Sequence, residues 1–102
     1  MPIEETAPMF EWDDNKNNGN IAKHGIDFNA AMEIWSGHVI EVTDVRQKYG
    51  EDRFVAFGEL NGRVLAVVFT WRGSTRRIIS ARSADRGERA EYHKAITDRS
   101  KT

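Results

Sequence analysis

Residues 75–92 have the sequence TRRIISARSADRGERAEY, and the predicted fold depends on this stretch. Three arginines and two adjacent isoleucines precede an Ala-Asp pair that opens a charged segment. Simple strand alternation predicts Arg77, Ile79 and Ala81 on one face and Arg76, Ile78, Ser80 and Arg82 on the other. A cation beside core residues is costly unless it reaches solvent or an anion, so these arginines together indicate an anion-binding site. The alternative is that each arginine extends from an exposed sheet face into water.

The second half of this stretch predicts a C-terminal helix. Asp85 and Glu88 have the spacing of a capping box, and both carboxylates suit the positive end of a helix dipole. Gly87 lies within the first turn, where a glycine costs about 1 kcal/mol relative to alanine. Arg89, Tyr92 and Ile96 recur at helical spacing on one side.

Strand patterns precede residues 75–92. Residues 63–71 (RVLAVVFTW) are apolar almost throughout, as is typical of a central strand covered on both faces. Asn61-Gly62 is a strong two-residue hairpin signal that joins this strand to an alternating one at residues 52–60. Gly73-Ser74 is the next turn, and the three consecutive strands joined by these short turns are predicted to form an antiparallel meander. A further strand is predicted at 39–45, followed by a basic connection at 46–51.

The N-terminal part predicts one strand and two helices. Residues 10–13 alternate between apolar and polar side chains, which predicts a short strand. Residues 14–24 are predicted to form a polar helix that ends at Gly25. Asp27 begins an amphipathic helix that Gly37 ends. The predicted fold is therefore α+β, with an antiparallel sheet of about four to five strands, two N-terminal helices and one C-terminal helix.

The chain of 102 residues is long enough for one domain, predicted at 10–96 between flexible tails at 1–9 and 97–102. The absence of cysteine excludes disulfides and thiolate metal sites. No apolar run reaches the roughly 18 residues of a membrane span, and no signal-peptide pattern begins the sequence. We therefore expect a cytoplasmic protein with no membrane partner.

Charge is distributed unevenly along the chain, although the net charge is only −1. Residues 1–45 carry two basic and nine acidic side chains, whereas residues 46–102 carry thirteen basic and seven acidic ones. This polarity favours one surface for a polyanion and another for a different partner. The alternative is that the two halves neutralise each other in the fold.

The sequence resembles the BrnT toxins of bacterial type II toxin–antitoxin systems over about residues 10–94. The resemblance rests on Phe10-Glu11-Trp12-Asp13, Lys16, Asn20, Lys23-His24-Gly25, Phe28, Ala31, Trp35, Arg53, Gly58, Thr70, Arg77-Ile78-Ile79-Ser80-Ala81-Arg82, Ala84, Arg86, Glu88 and Tyr92. Gly87 departs from the family's pattern, in which a longer polar residue is expected.

The resemblance implies a RelE-like fold and a growth-arresting ribonuclease that inhibits translation. It also implies a BrnA-type antitoxin, a ribbon-helix-helix-like protein that neutralises the toxin and through which the complex reaches operator DNA. We expect the antitoxin on the cationic sheet face or on the exposed edge strand. The RNA sequence cut, any need for the ribosome, the stoichiometry of the complex and the activity of this copy stay open.

RNA cleavage without a metal or other cofactor needs a proton acceptor, a proton donor and cations at the phosphate. His24 is the candidate acid or base, since imidazole ordinarily titrates nearest neutral pH. The candidate catalytic set is Lys23, His24, Arg53 and Arg82, and the candidate RNA-binding set is Arg76, Arg77, Ser80 and Tyr92. Glu59 is an alternative base on the strand face of Arg53. His38 and His93 have no companions at ligand spacing, so no metal site is predicted.

Each candidate has a structural alternative. His24 and Lys23 would also suit the negative end of a helix dipole. Arg53 and Arg77 could pair with carboxylates such as Glu59, and Tyr92 could pack against the sheet. A non-catalytic nucleic-acid or protein-binding module is the alternative function.

Overall fold

The computed structural model describes residues 9–45 and 50–100, except for the side chain of Ser100. The strands are β1 (Met9–Trp12), β2 (Ile40–Asp44), β3 (Arg53–Leu60), β4 (Arg63–Arg72) and β5 (Thr75–Ser83). The helices are α1 (Asp14–His24), α2 (Phe28–Ala31), a 3-10 helix (Met32–Ser36) and α3 (Arg86–Ser100). Most of the predicted tail at 1–9, four residues of the predicted connection at 46–51 and residues 101–102 lie outside the described residues.

The sheet has the strand order β1-β5-β4-β3-β2, so the predicted α+β fold is confirmed. Strands β3, β4 and β5 form the predicted antiparallel meander, and β2 pairs antiparallel with the outer side of β3, which leaves β4 at the centre of the sheet. Asn61 and Gly62 both have positive φ, as a tight hairpin turn requires. The sheet is mixed rather than wholly antiparallel, because β1 pairs parallel with β5. A long connection brings β1 and β5 together, and such a connection permits parallel pairing where a hairpin does not.

A β-bulge in β5 overturns the predicted division of its side chains between two faces. Val68 pairs with Ser80 but its neighbour Phe69 pairs with Ile78, which leaves Ile79 as an extra residue. Alternation is therefore interrupted, and Ser80 and Arg82 turn to the face that Arg77 occupies. We call this side, defined by Arg53, Val68, Thr70, Arg77 and Arg82, the arginine face. The opposite side, the core face, is defined by Ala56, Leu65, Val67, Phe69, Ile78 and Ala81.

The main hydrophobic core lies between the core face and the segment from Ile26 to Ile34. Asp27 caps α2 through its carboxylate, which accepts from the Asn29 amide at 2.9 Å. The predicted helix of residues 27–35 is divided into α2 and the 3-10 helix, and it ends at Gly37 as expected. Gly58 permits the contact of the 3-10 helix with β3, because a Cβ at this position would lie 2.8 Å from Ile34 Cβ.

The predicted caps of the other helices are confirmed. Gly25 ends α1 with φ of 72°, and its amide donates to the Ile21 carbonyl. The capping box of α3 is complete, since the Glu88 amide donates to Asp85 Oδ1 at 2.8 Å and the Asp85 amide donates to Glu88 Oε1 at 2.9 Å. Helix α3 continues to Ser100, beyond the predicted domain end at residue 96.

Helix α3 lies on the arginine face, where it forms a small second core with the sheet. Tyr92, Val64 and Ala84 are buried there, with Phe57 and Ile96 packed against them. This core lies on the part of the arginine face near Val64, and among the described residues it does not extend to Arg53 and Arg77. Within residues 9–45 and 50–100, no helix is long and apolar enough to cross a membrane.

Candidate functional site

Charged and polar side chains form one row across all five strands of the arginine face. Asp44 of β2 lies opposite Arg53 of β3, and the register of β3 on β4 places Arg53 beside Thr70. Thr70 pairs with Arg77 of β5, which in turn pairs with Glu11 of β1. Two strand spacings separate Arg53 from Arg77, so their Cα atoms are roughly 10 Å apart. The fold thus brings two of the predicted arginines together.

Both arginines of this row pair with carboxylates. Arg77 Nη1 donates to Glu11 Oε2 at 2.8 Å, and Arg53 Nε donates to Glu51 Oε2 at 3.4 Å. Their side chains keep 29% and 24% of their surface exposed. Between them Thr70 is buried, and its hydroxyl donates to the Asp52 carbonyl at 2.6 Å. The alternative of carboxylate pairing therefore describes both arginines, although neither partner is the predicted Glu59.

Glu59 lies too far along β3 to serve this row. Six residues separate it from Arg53, which corresponds to roughly 20 Å along a strand. It lies instead near Tyr92, whose pKa is affected by its charge. The fact that Glu59 and Arg53 lie on the same face of β3 was therefore not enough to predict that they belong to one site.

Arg82 occupies the same face and is held by α3. Its Nη1 and Nη2 donate to Glu88 Oε1 and Oε2 at 2.7 and 2.9 Å, a bidentate arrangement. Because Glu88 also belongs to the capping box, one carboxylate joins Arg82 to the start of α3. Arg82 pairs with Ala66, four residues along β4 from Thr70, so it lies roughly 13 Å along the sheet from Arg77. Ser80 lies between these two arginines, half-buried and opposite Val68.

Arg76 is separated from the other arginines because it lies on the core face. Its guanidinium lies over four aromatic rings, at 4.5 Å from the centroid of Trp71, 4.9 Å from Trp35, 5.4 Å from Phe69 and 6.0 Å from Phe10. Arg76 Nη2 also donates to Glu41 Oε2 at 3.0 Å, while its buried Nε has no hydrogen-bond partner among the described residues. The pattern of contacts is that of a structural cation within an aromatic cluster.

Tyr92 is buried, with 5% of its surface exposed, and the packing alternative describes its position. Its hydroxyl donates to the His38 carbonyl at 2.8 Å. Burial raises the pKa of the phenol above its ordinary value of 10.0, the negative charge of Glu59 raises it further, and Arg99 opposes the shift. A phenol held neutral in this contact ties α3 to the residues before β2.

Lys23 and His24 form the last turn of α1, where Lys23 is exposed and His24 is half-buried. Among the described residues, neither side chain forms a hydrogen bond or an ion pair. Helix α1 is attached to β5 through Asn20, whose side chain bonds the backbone of Ala81. No described contact joins this pair to the arginines, so the convergence of the two groups stays a prediction.

The carboxylates that hold the arginines were not among the residues predicted from the sequence. Glu11 alternates with Phe10 and Trp12, which already indicates a side chain on the face opposite the core, while Glu88 was assigned only to the cap. The pairing of β1 with β5 brings Glu11 to Arg77, and sixty-six residues separate them in sequence. Within the described part of the chain, no cluster of three histidine, aspartate or glutamate side chains could hold a metal ion.

Comparisons with known proteins agree with this fold. Residues 12–88 match the sequence model of a protein family described as the ribonuclease toxin BrnT of type II toxin–antitoxin systems. The 1.1 Å crystal structure of the Brucella abortus ribonuclease toxin BrnT superimposes with a TM-score of 0.58 at 34% sequence identity. The match covers 78% of this chain and 100% of the Brucella chain. No curated protein sequence matches significantly. The family match and the structural match together confirm the predicted resemblance: the chain belongs to the BrnT family of ribonuclease toxins of type II toxin–antitoxin systems.

Proposed function

We propose that this family member is a cytoplasmic endoribonuclease that cleaves RNA without a metal ion, inhibits translation and is neutralised by a BrnA-type antitoxin. The proposal rests on one observation. Arg53, Arg77 and Arg82 share one face of the sheet with their side chains partly exposed, and the bulge at Ile79 is what brings Arg82 to this face.

In the proposed reaction the 2′-oxygen attacks the neighbouring phosphorus while a base takes the 2′-proton. The bond from phosphorus to the 5′-oxygen breaks, and that oxygen receives a proton. Negative charge develops on the phosphoryl oxygens, and fixed guanidinium groups stabilise it. Arg82 and Arg53 serve this role, while Arg77 and Ser80 bind the neighbouring part of the RNA.

Carboxylate pairing is compatible with this role, because a phosphate can replace a carboxylate as the partner of a guanidinium. Partly exposed ion pairs contribute only about 0–1 kcal/mol, so the exchange costs little. Glu11, Glu51 and Glu88 hold the arginines in place until RNA arrives. Lys23 and His24 complete the proposed catalytic set from the end of α1, with His24 as acid or base.

The test is cleavage of an end-labelled RNA by purified protein, with and without EDTA. Arg82→Ala and His24→Ala should each lower the cleavage rate by about 100-fold. Arg86→Ala and His93→Ala, at exposed positions of α3, are the matched controls and should cleave as wild type does. If the wild-type protein leaves the RNA intact, as every variant does, the proposed ribonuclease activity is contradicted, and loss of cleavage in EDTA would contradict metal independence. Full activity of His24→Ala would remove His24 from the catalytic set without affecting the other members.

A non-catalytic binding module is the second candidate, and the pairing of every arginine on this face with a carboxylate favours it. A binding module would retain RNA in a mobility-shift assay and leave it uncut. The same RNA and the same variants therefore distinguish the two functions.

A further inference from the structure

An apolar groove lies on the arginine face between β2 and α3, about 630 Å³ in volume. Ile40, Val42 and Phe57 form its floor, and Gly87 and Tyr92 contribute to its helical wall. We call it the β2–α3 groove. Its volume falls in the range of roughly 300–1,000 Å³ that is usual for binding clefts.

One side of this groove is open at the edge of the sheet. Strand β2 is the last strand, so its outer edge pairs with no described strand. Val42 at the centre of this strand is 45% exposed, although it belongs to the floor of an apolar groove. An apolar floor beside an unpaired strand edge is a surface to which another polypeptide can bind.

The helical wall of the groove is acidic, with Asp85, Glu88 and Glu91 along it. Asp85 and Glu88 are engaged in the capping box, whereas Glu91 is exposed and forms no described hydrogen bond or ion pair. Charge complementarity therefore favours an occupant with lysine or arginine beside its apolar residues. The chain's own residues 1–8 do not fit this requirement, because they carry two glutamates and no basic side chain.

Gly87 widens the groove at the start of α3. A Cβ built there meets nothing closer than Asp85 Oδ1 at 3.6 Å, so a side chain is sterically permitted in the helix. A longer residue at 87 would instead project from the wall that lines the groove. The glycine costs helix stability and leaves the groove accessible.

We propose that the β2–α3 groove binds a protein segment with aliphatic side chains flanked by lysine or arginine, and that in the proposed toxin this segment belongs to the antitoxin. The identity of the partner rests on the proposed function. Glu88 lines the groove and holds Arg82, so a segment bound there lies beside the proposed catalytic arginine. Docking in this position covers the approach to Arg82, which explains how binding would neutralise the toxin.

Calorimetric titration of the operon-encoded antitoxin into the full chain tests this surface. Val42→Asp places a carboxylate in the apolar floor, and Glu91→Lys reverses a charge that has no partner among the described residues, so each should weaken binding by about tenfold or more. Gly87→Gln should weaken it as well. Ile21→Asp on α1 and Glu33→Lys on the 3-10 helix are equally exposed controls and should bind as wild type does.

Unchanged affinity of Val42→Asp and Glu91→Lys would overturn the groove as the docking site. Concentration-dependent dimerisation of the free chain that Val42→Asp abolishes would overturn it too, because a second copy would then be the occupant. Cleavage of RNA by the free variants is measured in parallel and should match wild type. If wild type itself cuts no RNA, the proposed function fails while the affinities still decide the docking site.

Discussion

Asn20 of α1 hydrogen-bonds both backbone groups of Ala81 in β5: its Nδ2 donates to the Ala81 carbonyl at 2.9 Å and its Oδ1 accepts from the Ala81 amide at 3.1 Å. Strand β1 pairs with β5 only as far as Ile78, so this side chain replaces the missing strand. The same Nδ2 also donates to the Ile26 carbonyl.

Replacement of this asparagine by alanine should therefore be strongly destabilising. Asn20→Ala removes three buried hydrogen bonds and leaves backbone groups unsatisfied, so the free energy of unfolding should fall by about 3 kcal/mol. Urea denaturation measures the change. Asn18→Ala, at an exposed position of the same helix, should change it by less than about 0.5 kcal/mol. Equal effects of the two substitutions would mean that Asn20 does not anchor α1.

Two glycine substitutions should have opposite effects on stability. Gly58→Ala places a Cβ 2.8 Å from Ile34 Cβ, so we expect a loss of about 1–3 kcal/mol from overpacking. Gly19→Ala lies inside α1, and apart from the helix's own backbone the new Cβ meets no atom of the described residues within 4 Å, so this variant should gain up to about 1 kcal/mol. Thermal unfolding of both variants measures the difference, and a stable Gly58→Ala would show that the 3-10 helix can shift without cost.

The parts of the fold that sequence could predict are those that depend on local chemistry. Asn61-Gly62 determines its own turn, Gly25 adopts the left-handed conformation that ends α1, and Asp85 with Glu88 caps α3 without help from distant residues. The parallel pairing of β1 could not be predicted in this way, because it is decided by how the whole sheet packs.

The candidate site was less predictable for a similar reason. Alternation placed Arg82 and Arg77 on opposite faces, whereas one extra residue at Ile79 unites them. The arginines could be located in sequence, but their partners could not, since Glu11 reaches Arg77 only through strand pairing. Arg76 differs from Arg77 by one position and therefore lies among aromatic rings on the other side of the sheet.

Arg76 should be required for stability rather than for binding RNA. Arg76→Ala removes the cation from four aromatic rings and leaves Glu41 without its guanidinium, so we expect a loss of about 2–3 kcal/mol. Chemical denaturation measures this loss, with Arg63→Ala on the exposed hairpin as the control. A stable Arg76→Ala protein with weakened RNA binding would restore the predicted RNA-binding role.

The contribution of Tyr92 should depend on pH in the alkaline range. Burial raises the pKa of its phenol above 10.0, so its stabilising contribution is complete below the pKa of the unfolded chain. It is lost as the pH rises through the higher pKa of the folded state. At pH 8, Tyr92→Phe should cost about 1 kcal/mol through the hydrogen bond to the His38 carbonyl.

The difference in unfolding free energy between wild type and Tyr92→Phe should therefore shrink as the pH rises above 10. Urea denaturation at several pH values measures it, and other titrating groups cancel because both proteins carry them. A difference that stays constant with pH would mean that Tyr92 titrates equally in both states.

Glu88 should restrain Arg82 from RNA, because its carboxylate occupies both terminal nitrogens of the guanidinium. Glu88→Gln retains an oxygen that can accept from the Asp85 amide, so the cap of α3 survives and stability should fall by no more than about 1 kcal/mol. The released charge should tighten binding of single-stranded RNA. It should also steepen the dependence of log affinity on log salt concentration by about 0.7 for each added phosphate contact.

Fluorescence anisotropy across a salt series measures both quantities, and Glu91→Gln, which removes a carboxylate with no described partner, controls for net charge. Equal tightening by the two variants would show that long-range charge, rather than release of Arg82, is responsible.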